Sequence, residues 1–91
     1  MQSLEIMKKQ LTNEGYKKIY VWQDSPNEIY SPHKHRTSTK LIILEGAMNL
    51  TLQRKVRKLT VGKIVEIKAY EVHSAIIGKN GCKYLIREGK K

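Results

Sequence analysis

The sequence predicts a single all-β domain, a small barrel or sandwich preceded by one short helix. Three observations carry this expectation. Apolar residues alternate with polar ones at a period of two from Tyr16 to Ile86. Turn-forming residues interrupt that alternation at short, regular intervals, which suits an all-β fold and not a βαβ one. A chain of 91 residues has room for one core only.

The elements follow in order. Residues 3–14 read as the helix: Ser3 is a fair N-cap, Leu4, Met7 and Leu11 form one apolar stripe, and Gly15 suits the left-handed residue that ends it. So short a helix does not stand alone in water, so residues 1–15 are expected to pack on the barrel formed by residues 16–88. Ile19 and Val21 share one face of the first strand, with Tyr20 and Trp22 on the other, and Pro26-Asn27 ends it. Glu28 to His35 is a second extended stretch, marked as an edge or bent strand by Pro32. Leu41–Leu44 is a third, closed by Glu45-Gly46, and Met48, Leu50 and Leu52 alternate with polar residues along a fourth. Arg54-Lys55 reads as a turn, Val56 to Val61 as the returning strand and Ile64 to Ile67 as the next, followed by a loop over Lys68-Ala69-Tyr70-Glu71. His73 to Ile77 and Cys82 to Ile86 are the last two, joined at Asn80-Gly81, a strong hairpin signal. Residues 89–91 are a basic tail. Seven or eight strands are thus expected.

Composition excludes several classes. No apolar run exceeds four residues, Leu41–Leu44 among them, against about 18 for a membrane span. Residues 1–15 lack the apolar core of a secretory signal, so a cytoplasmic home is expected. The single cysteine, Cys82, cannot form an intramolecular disulfide or a cysteine-rich zinc site. The net charge of +10 raises nucleic acid as a partner, but the basic residues are mostly lysine and scattered, with no basic-aromatic interleaving. Nucleic acid is therefore ranked last.

The candidate site rests on the three histidines. His33 and His35, two apart on an extended stretch, leave the same face, and two imidazoles so placed can share one metal ion. His73 opens another strand and is the candidate third ligand. Neutral imidazoles suit a divalent transition metal: Fe, Ni, Zn, Co, Cu or Mn. Alternation places Thr39, Leu41, Met48, Leu50, Ala75, Cys82 and Tyr84 around the same cavity. Ile42, Leu44, Val72, Ile76 and Leu85 fall on the opposite faces, and their burial against a second copy makes a homodimer the expected assembly.

The stretch His33-Lys34-His35 through Leu41-Ile42-Ile43-Leu44-Glu45-Gly46 resembles the first cupin motif, His-x-His followed by a glutamate and a hydrophobic strand ending in glycine. Gly62 to His73 resembles the second, in which a glycine precedes a metal-binding histidine. The resemblance implies a small cupin barrel, a double-stranded β-helix or jelly roll, with His33, His35 and His73 as metal ligands. The chain departs from the pattern at the glutamate, which falls on Thr39, at the Pro-x-Gly turn, replaced by Lys68-Ala69-Tyr70, and at a later asparagine, which falls on Ile77. The resemblance implies a metal-bound small-molecule site for a ligand of anionic character, with a dioxygenase-type reaction among its chemistries. The alternative is a ligand-binding or sensing module without metal. Glu71, in the loop before His73, is a weak candidate base, and the sequence leaves enzyme status open.

Overall fold

A computed structural model describes residues 18–89 together with Glu5, Ile6 and Lys9. Glu5, Ile6 and Lys9 are helical. The remainder of the helix expected over residues 3–14, and residues 90–91 of the basic tail, lie outside the described residues.

Six strands follow one another: β1 (Lys18–Asp24), β2 (Ile29–His33), β3 (Thr39–Leu52), β4 (Lys55–Leu59), β5 (Ile64–Ile67) and β6 (His73–Glu88). All pairings are antiparallel. β3 and β6 are long and bent, and they pair with each other over their full lengths, from Thr39 opposite Glu88 to Leu52 opposite His73. Their pairing slips where the strands bend, between Ile43 and Glu45 and between Gly46 and Met48. The bend makes two layers from one sheet. The first half of β3 and the second half of β6 lie between β1 and β5; the other halves lie between β2 and β4.

Glycine is required at the bend. Gly46 has φ +74°, and a Cβ there would stand 2.1 Å from the Gly81 carbonyl oxygen. Gly81 has φ +79°, and its Cβ would stand 2.9 Å from the Asp24 carbonyl oxygen. The two backbones approach too closely for any side chain, at a conformation that L residues resist.

These corners correct the expected strand count. Gly46 and Gly81 bend strands without reversing them, so the stretches on either side of each are one strand. Asn80-Gly81 is therefore no hairpin. The tight turn after β3 instead falls at Gln53 and Arg54, both at positive φ, and Lys55 already belongs to β4.

The core lies between the layers and matches the alternation. Ile43, Leu50 and Ile77 are each 1% exposed, and Leu41, Met48, Val65, Ile67, Tyr84 and Ile86 join them. Of the residues expected to face outward, Ile42 and Leu85 are buried as well, packed with Ile19, Val21 and Leu44 on the far face of the β1 layer. Val72 and Ile76 are exposed. Arg87, fully buried on that far face, has its Nη2 3.8 Å from a Glu66 carboxylate oxygen.

Candidate metal centre

The three histidines come from three segments. His33 is the last residue of β2, His73 is the first of β6, and the two are cross-strand partners. β2 stops at His33, so His35 stands in the connection to β3 and not on a strand, as the period-two reading expected. Its carbonyl accepts a hydrogen bond from the Tyr70 amide at 2.7 Å, which ties the β2–β3 connection to the β5–β6 connection. Tyr70 has φ +63° in the turn Lys68-Ala69-Tyr70. That turn is closed by Glu71, whose amide donates to the Lys68 carbonyl and whose carboxylate accepts from the Lys68 amide and from the Gln53 side chain. Glu71 is thereby committed to the loop and is poorly placed to act as a base.

The rings converge. Their centroids are 4.2 Å apart for His33 and His73, 4.9 Å for His35 and His73, and 5.0 Å for His33 and His35. One nitrogen from each lies within 4.8 Å of the other two. Two nitrogens held about 2.0–2.1 Å from one tetrahedral ion stand about 3.4 Å apart, so closure asks for a contraction of about an ångström. His33 Nδ1 lies 2.6 Å from the Ser31 carbonyl and His73 Nδ1 lies 2.9 Å from the Glu71 carbonyl. A carbonyl oxygen only accepts, so each Nδ1 carries its hydrogen, and in the neutral ring Nε2 is the nitrogen left for a metal. His73 is buried, and that burial, helped by its two histidine neighbours, holds its pKa below the ordinary 6.5 despite the opposing bond to Glu71. The neutral form is the one that binds metal.

The histidines open on a cavity of about 290 Å³, at the small end of ligand pockets. Thr39, Leu41, Met48, Leu50, Ala75 and Tyr84 line it; Cys82 is buried but is not among the lining residues. Burial, and then the nearby Asp24, push the Cys82 thiol up to about 11. Thr39, on which the sequence resemblance places the cupin glutamate, is buried in the wall.

Part of the site was not anticipated. Tyr20, Trp22, Tyr30 and Glu88 also line the cavity. Behind them Asp24, 3% exposed, accepts hydrogen bonds from Trp22 Nε1 at 2.8 Å, from Tyr84 Oη at 2.6 Å and from Tyr30 Oη. Burial first, and then these bonds, raise both phenols above the ordinary tyrosine value, so they stay protonated. The signal for this cluster was present: Tyr20, Trp22 and Asp24 share the face of β1 opposite Ile19 and Val21.

Among solved structures, a cupin superfamily protein from Desulfitobacterium hafniense superposes with a TM-score of 0.71 at 20% identity, over 80% of this chain and 66% of that one. The fold is that of the cupins. An RmlC-like cupin from Shewanella frigidimarina gives a TM-score of 0.72 at 16% identity over 80% of this chain and 65% of its own. A double-stranded β-helix protein from Klebsiella pneumoniae gives 0.68 at 20% identity, over 78% and 64%. The chain thus spans slightly less than two thirds of the length of those neighbours. No protein-family model matches the sequence, and no curated protein does. Among the described residues, no helix is long and apolar enough to cross a membrane.

Proposed function

We propose that the barrel binds one divalent transition metal through His33, His35 and His73 and takes a small molecule with an anionic group beside it. The observation that carries this reading is the convergence of three imidazoles from separate segments, within 4.8 Å at their candidate ligand atoms. Hydrogen bonds that orient two of the rings and leave Nε2 free support it. Three neutral nitrogens form an open donor set that leaves positions for water or ligand and keeps the full charge of the ion. When bound, the ion would supply Lewis acidity toward a coordinated oxygen, and an iron ion would add dioxygen chemistry. The chain's own part is to orient the rings, keep His73 neutral and surround the ligand with apolar wall. A dioxygenase-type reaction is the activity to assay first.

A binding or sensing role without chemistry is the second reading. It is favoured by the state of the candidate catalytic groups: the Glu71 carboxylate is taken up by its own loop, and the Cys82 thiol lies outside the cavity lining. We further propose a reducing, cytoplasmic setting and a homodimer. Light scattering that reports 10.6 kDa at micromolar concentration would refute the dimer.

The test of the metal reading uses protein purified without a histidine tag, reconstituted with Fe, Ni, Zn, Co, Cu or Mn, and melted with and without chelator. Metal at a hundredfold excess over its Kd adds about 2.7 kcal/mol, or about 10–20 °C in a domain of this size. His73→Ala should abolish the gain, and Thr39→Glu should enlarge it by adding a carboxylate to the wall. Wild-type protein that takes up none of these metals and melts the same with or without chelator overturns the reading.

A further inference from the structure

Besides the histidines and aliphatic side chains, the cavity wall holds four aromatic rings: Tyr20 and Trp22 from β1, Tyr30 from β2 and Tyr84 from β6. The Tyr30 ring centroid lies 6.4 Å from that of His33. Trp22, the chain's one tryptophan, is 50% exposed although it borders the cavity. The polar atoms of three of these rings are already committed, since Trp22, Tyr30 and Tyr84 all donate to Asp24. They therefore offer the cavity carbon surface and π-electrons, with a buried carboxylate behind them. The fourth ring, Tyr20, donates its hydroxyl to Glu88 Oε1 at 3.1 Å. Glu88 is the one carboxylate among the described lining residues.

Aromatic rings backed by carboxylates attract positive charge. The chain's net charge of +10 makes such a wall the more distinctive. A cation lies beside two of these residues: Lys18 Nζ is 5.7 Å from the Tyr20 ring centroid and 3.9 Å from Glu88 Oε2. The Lys18 side chain is 71% exposed, so this contact is weak and can be displaced. An ammonium is strongly hydrated and gains little from an apolar surface, whereas an alkylated ammonium group keeps the charge and sheds water easily.

We propose that this wall is a subsite for a small organic cation, and that the molecule the barrel takes is a zwitterion with its anionic end at the histidines and its cationic end against Tyr20, Trp22 and Glu88. The anionic half rests on the metal reading above; the cation subsite stands without it.

Trp22 provides the readout. Its fluorescence is followed while tetramethylammonium, or uncharged tert-butanol of similar size, is titrated into chelator-treated and zinc-loaded protein. Tetramethylammonium is expected to saturate at a concentration roughly tenfold below tert-butanol. Glu88→Gln keeps an acceptor for the Tyr20 hydroxyl but removes the charge, and should erase most of that preference. Lys18→Met, at an exposed position that the fold does not need, removes the resident ammonium and should tighten binding. A wild-type protein that does not distinguish the two probes overturns the subsite, as does a preference left unchanged by both substitutions. A trimethylammonio carboxylate that binds more tightly with zinc than with chelator supports the zwitterion. If it gains nothing from zinc while tetramethylammonium still binds, the zwitterion falls and the cation subsite stands, and the metal reading is decided separately by zinc uptake and by the melt with and without chelator.

Discussion

Asp24→Ala is the substitution with the most to tell about this cavity. Asp24 is 3% exposed and accepts three hydrogen bonds, from Trp22, Tyr30 and Tyr84. Bonds to a charged acceptor contribute about 1.5–3 kcal/mol each, and a buried donor left without its partner costs its desolvation besides. The three donors do not lose equally. The half-exposed Trp22 can turn to water, whereas Tyr84 is 7% exposed and cannot. The expected loss is about 3–5 kcal/mol, concentrated on the two phenols. At about 4–8 °C per kcal/mol for a domain of this size, the melting temperature should fall by roughly 12–40 °C. Asp24→Asn retains a carbonyl oxygen for Trp22 and Tyr30 and offers an N–H to the Tyr84 hydroxyl, so it should cost about 1–2 kcal/mol. Thermal melts followed by circular dichroism give the order wild type, Asn, Ala. Tyrosine absorbance titrated with pH gives a second reading, because any phenol that has lost Asp24 should ionise earlier. An Asp24→Ala protein that melts within about 5 °C of wild type would refute the reasoning.

Three further outcomes are expected. Gly46→Ala should fail to fold or lose more than about 3 kcal/mol by urea denaturation, because its Cβ would stand 2.1 Å from the Gly81 carbonyl at a positive φ; a soluble protein of wild-type midpoint would contradict the account of the bend. Leu50→Ala, at a residue 1% exposed, should cost about 2–5 kcal/mol in the same assay. The Cys82 thiol, raised from 9.0 to about 11, ionises in the unfolded chain before it does so in the folded one. It therefore contributes a loss of stability as pH rises from 9 toward 11; Cys82→Ala should flatten that part of the pH–stability curve, and alkylation of wild type at neutral pH should proceed only through unfolded molecules.

The period-two alternation located the core because burial and pleat share that period, and every residue it placed between the layers is buried. The same logic misjudged Asn80-Gly81. A glycine at positive φ serves a chain reversal and a strand corner equally well, and sequence alone does not say whether the partner strand bends alongside. Pairing between β3 and β6 decides the matter, and it is long-range. His35 shows a related limit: two residues past His33 it would share a face if the strand continued, but it reaches the cluster from a connection held by the Tyr70 amide. Asp24 was legible only in part. Its face of β1 follows from alternation, whereas its donors Tyr30 and Tyr84 come from strands that only the fold brings beside it.

The sharing of β3 and β6 between both layers has a kinetic consequence. Neither layer can assemble from neighbouring segments alone, since each needs one half of both strands, and Thr39 must find Glu88 across about half of the chain. The entropy of closing that long loop is lost before either layer gains its core. Refolding should accordingly be slow for so small a protein, on the scale of milliseconds to seconds. It should also be a single event: with the same two strands running through both halves, there is no smaller piece that can form first and wait.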